Sequence, residues 1–242
     1  MKLIGERRAI ASAVFALYAF FYLVLALLDV QPGFDKAYFA MAAVYGSAFF
    51  ALVAGYFWAR WYAMGVALSG VISGGVALWQ LGAEPIVVFI AGTHLAATLM
   101  LAGQSMREPF EGQPSWRKRL HMDDNAVVRL GRSVTRASIS LPFILLYALA
   151  PKPEGADASV ALWLAVAASA VGLFGLVRMR TWGLLALLGA SGAMAAAAVL
   201  SPTVATMGFA AAGTALLASA WLPMAAPIAA MLLGRRDNGA TV

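Results

Sequence analysis

The sequence predicts an all-α protein, a polytopic integral membrane bundle of about eight transmembrane helices. Of its 242 residues, 62% are apolar and only 12% are charged, whereas soluble domains average about 45 to 50% apolar and about 25% charged residues. So few polar side chains cannot cover the surface of a soluble fold of this length. The composition therefore argues against most soluble enzyme classes.

Apolar segments approach the length of about 20 residues that a helix needs to cross a bilayer. In chain order they are Ala9 to Val30, Ala37 to Trp58, Ala63 to Gln80, Pro85 to Gly103, Val134 to Ala150, Ser159 to Val177, Trp182 to Leu200 and Val204 to Leu222. Turn-forming residues such as Gln31-Pro32-Gly33 separate them. The first segment exceeds the apolar core of about 7 to 15 residues in a secretory signal, so we interpret it as a retained span.

These segments divide the chain into four parts. Residues 1–103 form a first four-helix transmembrane unit, and residues 104–136 form a basic cytoplasmic loop. Residues 137–233 form a second four-helix transmembrane unit, in which Pro223 and Pro227 interrupt the last apolar stretch. Residues 234–242 form a cytoplasmic tail.

The basic residues predict the orientation. With eight spans, all but two of the 17 Lys and Arg residues fall on one side of the membrane, and only Lys36 and Lys152 fall on the other. Cytoplasmic loops carry the excess of Lys and Arg. We therefore expect a multi-pass protein of the inner (plasma) membrane with both termini and the central loop in the cytoplasm.

The two units resemble each other weakly. The turn from Phe57 to Ala63 matches the turn from Val177 to Gly183 at an offset of 120 residues, and Arg60 pairs with Arg180. The Gly92-Thr93 pair matches Gly213-Thr214 at an offset of 121. Because four spans are an even number, we expect two parallel repeats related by an axis along the membrane normal, as in some transporters. A duplicated scaffold without a transport role would have the same pattern.

Small residues predict close helix packing. Gly70 and Gly74 form a GxxxG pair in the third span. Helices in a bilayer associate through such small residues, because lipid gives them no hydrophobic driving force to pair. We expect this pair to serve packing within the chain rather than a dimer.

One ionisable residue falls near the bilayer midplane. His94 lies ten residues after Glu84 in the fourth span, and an ionisable group at this depth is costly and often functional. The first two spans direct several tyrosines to similar depth. The predicted ligand-binding residues are His94, Tyr18, Tyr22, Tyr45, Asp29 and Glu84. The structural alternative is a neutral His94 that shares its proton with a backbone carbonyl or a tyrosine hydroxyl.

Other chemistry has little support in the sequence. The chain contains no cysteine and two histidines, which excludes disulfides, Fe–S clusters and Cys-based zinc sites. One intramembrane histidine supplies half of the axial ligands of a b-type haem. No nucleotide-binding or hydrolase motif is present, so no catalytic residue and no metal site is predicted, and no cofactor is identified.

The central loop predicts contact with lipid headgroups. It contains the basic cluster Arg117, Lys118 and Arg119. After this cluster Asp123, Asp124 or Asn125 can cap a helix with Val127, Leu130 and Val134 on one face and Arg129, Arg132 and Arg136 on the other. Such an amphipathic helix is typical of an interface with anionic headgroups. A plain stop-transfer charge cluster is the alternative.

These observations favour a membrane protein that binds or translocates a small or lipid-like ligand through a cavity in the first four helices. The alternative is a noncatalytic accessory subunit of a larger membrane complex, with another membrane protein as its partner. An enzyme that acts on lipid ranks third. Membrane lipids are the expected partners in each case, and the placement of the basic residues does not indicate nucleic acid.

Overall fold

The computed structural model describes residues 3–113, 123–151, 159–180, 182–200 and 204–237. Within these ranges the chain forms nine helices and no strand. The helices are α1 (Ile4–Leu27), α2 (Asp35–Ala54), α3 (Ala59–Leu81), α4 (Pro85–Leu101), α5 (Gln104–Glu111), α6 (Asp124–Leu149), α7 (Ser159–Val177), α8 (Trp182–Val199) and α9 (Val204–Asp237). The predicted all-α fold is confirmed.

The helices have the length and apolarity of a polytopic membrane bundle. In the described part, α1, α2, α3, α7 and α8 are long and apolar enough to cross a membrane, and α4 with α5 adds a sixth span if this pair, bent by 69°, counts as one. The first half of α6 carries three arginines, and the apolar stretch of α9, Ala210–Ala225, is shorter. The count of eight spans therefore stays a prediction.

Large apolar side chains cover the outside of the bundle. Phe20 is 66% exposed, Trp79 84% and Leu185 69%. A soluble monomer rarely exposes contiguous apolar surface on this scale. The exposure is expected where the surface meets hydrocarbon.

Local sequence signals set several helix ends. Gly55, at φ +72°, ends α2 in a left-handed conformation that glycine adopts without strain. Pro85 occupies the first turn of α4, where its missing N–H costs nothing. The Asp123 side chain accepts a hydrogen bond from the Ala126 N–H at 2.6 Å and caps α6, as the sequence predicts.

The four long helices of each unit pack on one another in the same order. In the first unit α1 packs on α2 and α4, and α3 packs on the same two helices. In the second unit α6 packs on α7 and α9, and α8 packs on the same two helices. The two units contact each other on one side only. There α2 and α3 of the first unit pack on α6 of the second, whereas α1 and α8 make no comparable contact with the other unit in the described part.

The helices α3 and α6 run in the same direction. Gly131 faces the Trp61 ring, and about one turn further along both helices the Thr135 carbonyl oxygen faces Gly65. An added Cβ at Gly65 would lie 2.4 Å from that oxygen. Because Gly65 has no side chain, the backbones of α3 and α6 can pack closely against each other at this point.

Burial patterns recur between the units at an offset of 124 residues. Met41, Tyr45, Ala48 and Leu52 are buried in α2, and the residues 124 positions later are buried in α7: Ala165, Ser169, Gly172 and Leu176. The turns after these helices place Gly55 and Met179, also 124 positions apart, at positive φ. This offset differs by about one helical turn from those of 120 and 121 that the sequence matches indicate. The two matched arginines also differ, because Arg60 is buried and Arg180 is exposed.

The amphipathic segment of the central loop is not a separate helix. It forms the first turns of α6, which continues without a break past the predicted boundary at residue 136. Its apolar face, Val127, Leu130 and Val134, belongs to the protein core and is at most 2% exposed. The expected interfacial helix is therefore corrected to the first turns of a longer helix: its apolar face packs in the protein core, and its arginines point outward.

Candidate functional site

The polar centre of the first unit is a contact between Tyr45 of α2 and His94 of α4. The Tyr45 hydroxyl lies 2.7 Å from His94 Nε2, and His94 is only 2% exposed. His94 Nδ1 lies 2.8 Å from the Ile90 carbonyl oxygen, one turn earlier in α4. Both ring nitrogens therefore have protein partners.

These partners determine the tautomer of His94. A carbonyl oxygen can only accept, so Nδ1 carries the proton and donates it to Ile90. Nε2 then accepts a hydrogen bond from the Tyr45 hydroxyl. The arrangement stabilises a neutral imidazole whose two nitrogens are already occupied, so the ring offers no vacant nitrogen to a ligand.

Gly70 of α3 makes room for the imidazole. An added Cβ at Gly70 would lie 1.9 Å from His94 Cδ2. One turn further, an added Cβ at Gly74 would lie 2.7 Å from the Ala91 Cβ. The GxxxG pair therefore serves contact between α3 and α4 within the chain, and its first glycine receives the histidine.

Aromatic rings continue from His94 toward the end of α1. The Tyr18 ring lies 4.3 Å from the His94 ring, between ring centroids, and the Tyr18 hydroxyl lies 2.6 Å from Thr93 Oγ1. The Tyr22 ring stacks on Tyr45 at 5.5 Å. The structure thus brings together four predicted site residues, Tyr18, Tyr22, Tyr45 and His94.

The other two predicted ligand residues lie at helix ends. Asp29 follows α1 in a left-handed conformation, at φ +44°, and the next residue, Val30, donates its N–H to the Leu25 carbonyl oxygen. This geometry is typical of a helix C-terminus, where Asp is one of the tolerated residues. Glu84 is an exposed residue that precedes α4. The structure thus places neither residue in the His94 cluster.

A buried ion pair at the opposite end of α3 was not predicted. Glu111 of α5 is 3% exposed and is paired with Arg60 of α3. Its Oε1 also accepts a hydrogen bond from Trp61 Nε1 at 2.8 Å, and its Oε2 accepts one from Arg107 Nε at 2.9 Å. Of these contacts, the sequence indicates only the Arg107 and Glu111 spacing of four residues.

Arginines at this end also donate hydrogen bonds to carbonyl oxygens in the last turns of α2 and α4. The buried Arg60 Nε donates to the Leu101 oxygen at 2.8 Å. Arg7 donates to the Leu99 oxygen at 2.9 Å, and Arg8 Nε donates to the Leu52 oxygen at 2.8 Å. These carbonyls lie in the last turns of α2 and α4, where the regular backbone hydrogen-bond pattern of a helix ends. We call this end of the bundle, defined by Arg7, Arg8, Arg60 and Arg107, the arginine end.

The arginines of α6 have two environments. Arg129, Arg132 and Arg136 are exposed on one face, as the sequence predicts. Arg136 Nη1 also donates to the Ser219 carbonyl oxygen of α9 at 2.9 Å. The predicted headgroup residues Arg117, Lys118 and Arg119 lie outside the described residues.

A polar cleft opens at the arginine end. It measures about 600 Å³ and lies between α5 and the first turn of α6, with Arg107 and Glu111 in its wall. Glu111 uses both carboxylate oxygens within the protein. The cleft is therefore bordered by groups that hold α3 and α5 together.

An apolar cavity lies between the two units. Its volume is about 470 Å³, within the range of about 300 to 1,000 Å³ that is typical of small-molecule sites. Its lining comes from α3, α6, α8 and α9: Ile72, Phe143, Ile144, Leu146, Tyr147, Met194, Ala212, Gly213 and Leu216. It is distinct from the His94 cluster, and three of its four lining helices belong to the second unit.

The arrangement has no counterpart among the proteins compared with it. No protein-family model, no curated protein and no solved structure matches the chain.

Proposed function

We propose that this protein binds the hydrocarbon chain of a membrane lipid or a lipid-like molecule in the cavity between its two units. The observation that carries the proposal is the cavity itself, about 470 Å³ in volume with an almost wholly apolar lining. An apolar pocket of this size favours an apolar occupant over water, because its walls offer water few hydrogen-bond partners.

The position of the cavity supports entry from the bilayer. Ile72 and Ala212 line the cavity and are also exposed on the surface of the bundle. In a membrane this surface meets acyl chains, so a chain can enter sideways without crossing the polar headgroup region. The site therefore suits a ligand that is already dissolved in the membrane.

The proposed ligand site lies between the two units rather than within the first four helices alone. There, His94 and Tyr45 bond to each other in a closed cluster packed on Gly70. We assign that cluster to the rigidity of the first unit and the ligand to the interface between the units. Translocation of the ligand is not part of the proposal.

A filling substitution tests the site. Ala212→Phe places a ring in the cavity, whereas Ala211→Phe, at the neighbouring exposed position, adds the same ring outside its lining. We expect purified Ala211→Phe protein to retain dioleoyl phosphatidylcholine in native mass spectra as the wild type does. Ala212→Phe protein should lose most of this lipid. Equal retention by both variants would contradict the proposal.

The second candidate is a noncatalytic accessory subunit, favoured by the closed polar contacts of the first unit. Both nitrogens of His94 and both carboxylate oxygens of Glu111 are bonded within the chain. Such a unit is suited to a scaffold. Copurification of a stoichiometric membrane partner, together with no lipid in the cavity, would favour this candidate.

The proposal includes a membrane topology and an internal duplication. Eight spans in an inner membrane place the arginine end in the cytoplasm, in agreement with the positive-inside rule. The offset of 124 residues between buried positions supports two parallel repeats, and the one-sided contact between the units leaves room for the cavity.

A further inference from the structure

The cavity and the arginine face lie on the same side of α6. Phe143 lines the cavity two helical turns after Arg136, and Tyr147 lines it five turns after Arg129. Positions separated by whole turns share a helix face. A continuous stripe of α6 therefore changes from exposed arginines at the arginine end to cavity wall deeper in the bundle.

Along the facing helix α9, the contact with an arginine and the cavity wall follow each other in the same order as on α6. The Ser219 carbonyl oxygen accepts a hydrogen bond from Arg136 at 2.9 Å, and Leu216, about one turn away on α9, lines the cavity. The contact between Arg136 and Ser219 thus marks the edge of the cavity that is nearest to the arginine end.

The distance between the exposed arginines and the cavity fits a single amphiphilic molecule. Eleven residues of helix place Phe143 about 16 Å from Arg132 along the axis. One leaflet of a bilayer contributes about 15 Å of hydrocarbon core. A headgroup beside the arginines and an acyl chain in the cavity therefore match the depth at which a phospholipid sits.

From these positions we infer that the occupant is an anionic phospholipid of the surrounding membrane. One acyl chain fills the cavity, and its phosphate-bearing headgroup contacts Arg129 and Arg132. The inference rests on the proposed function and adds the headgroup. Exposed arginines near a membrane surface attract anionic headgroups, and the guanidinium group binds phosphate through paired hydrogen bonds.

The test compares two lipids with identical chains. Purified protein is titrated with dioleoyl phosphatidylglycerol or dioleoyl phosphatidylcholine, and bound lipid is measured by native mass spectrometry. We expect the wild type to prefer phosphatidylglycerol. The double variant Arg129→Gln/Arg132→Gln should lose this preference, by about fivefold for each charge removed.

Two further variants serve as controls. Arg129→Lys/Arg132→Lys keeps the charge and should keep most of the preference. Arg178→Gln removes an arginine from the turn after α7 and should have no effect. Arg136 is left intact because it also contacts Ser219.

The outcomes separate the two proposals. Equal binding of both lipids by the wild type, or a preference that survives in the Gln variant, overturns the headgroup assignment while leaving the cavity site in place. No retention of either lipid overturns the proposed function as well. If the Gln variant fails to fold, the wild-type comparison alone decides.

Discussion

The guanidinium of Arg136 in α6 donates a hydrogen bond from Nη1 to the backbone carbonyl oxygen of Ser219 in α9, at 2.9 Å. Four residues after Ser219 the helix contains Pro223, which has no N–H to offer that oxygen. A side chain from a neighbouring helix thus replaces the backbone bond that proline removes. The contact joins two helices of the second unit at the edge of the apolar cavity.

The first prediction concerns this replacement. Arg136→Gln should lower the free energy of unfolding by about 1 kcal/mol, because it removes a charged donor from a carbonyl oxygen that Pro223 leaves without its backbone N–H. Arg132→Gln, on the same exposed face, should change it by less than about 0.5 kcal/mol. Thermal unfolding in detergent measures both. In a Pro223→Ala background, where the substitution restores the missing backbone N–H, the cost of Arg136→Gln should shrink; a cost that stays equal would contradict this explanation.

The second prediction concerns Gly70. Gly70→Ala should destabilise the protein by about 1 to 3 kcal/mol, because the new Cβ overlaps the His94 ring. Gly75→Ala, on the same helix with nothing within 4 Å of the added Cβ, is the matched control and should be neutral or slightly stabilising. The melting temperatures of the two variants and of Gly70→Ala/His94→Ala decide. The second substitution should recover part of the loss, and an unchanged loss would show that the ring is not the obstacle.

The third prediction concerns the pair formed by Tyr45 and His94. Tyr45→Phe leaves Nε2 buried without a donor, and we expect a cost of about 0.5 to 2 kcal/mol. His94→Phe should also lower the melting temperature. The double variant should lose less than the sum of the two single losses, because each single change strands the other partner. Strict additivity would contradict the coupling of the two side chains. A His94→Phe protein with unchanged stability and impaired lipid retention would instead assign the histidine to the ligand.

Sequence reasoning located the polar centre of the first unit because depth can be read from position along a helix. His94 and Tyr45 fall near the same depth when each span is counted from its ends, and the structure joins them. Whether the His94 ring binds a ligand or a protein group depends on how the helices pack around it. The 2% exposure of His94 and its contact with Gly70 show that the ring is enclosed.

The contacts that sequence reasoning missed join residues far apart in the chain. Arg60 and Glu111 are 51 positions apart, and the bend between α4 and α5 brings them together. The apolar cavity combines residues from both units, so neither four-helix unit predicts it alone.

The fourth prediction tests the topology. The chain contains no cysteine, so single cysteines introduced in place of Gln113 and Gly155 report only their own positions. A membrane-impermeant maleimide added to intact cells should label the cysteine at position 155 and spare the one at position 113, because basic loops stay in the cytoplasm. Labelling of both positions after lysis is the control. Labelling of position 113 in intact cells would contradict the eight-span arrangement.

The most direct test of the central proposal locates the acyl chain itself. Wild-type protein is placed in nanodiscs with a phosphatidylcholine that carries a photoreactive diazirine in one chain, and crosslinked peptides are identified by mass spectrometry. A hydrocarbon chain between the two units predicts adducts on Phe143, Leu146 and Leu216, which line the cavity, and Ala212→Phe should reduce them. Adducts confined to outward-facing residues such as Phe20 and Leu185, with none on the cavity wall, would contradict the proposed function.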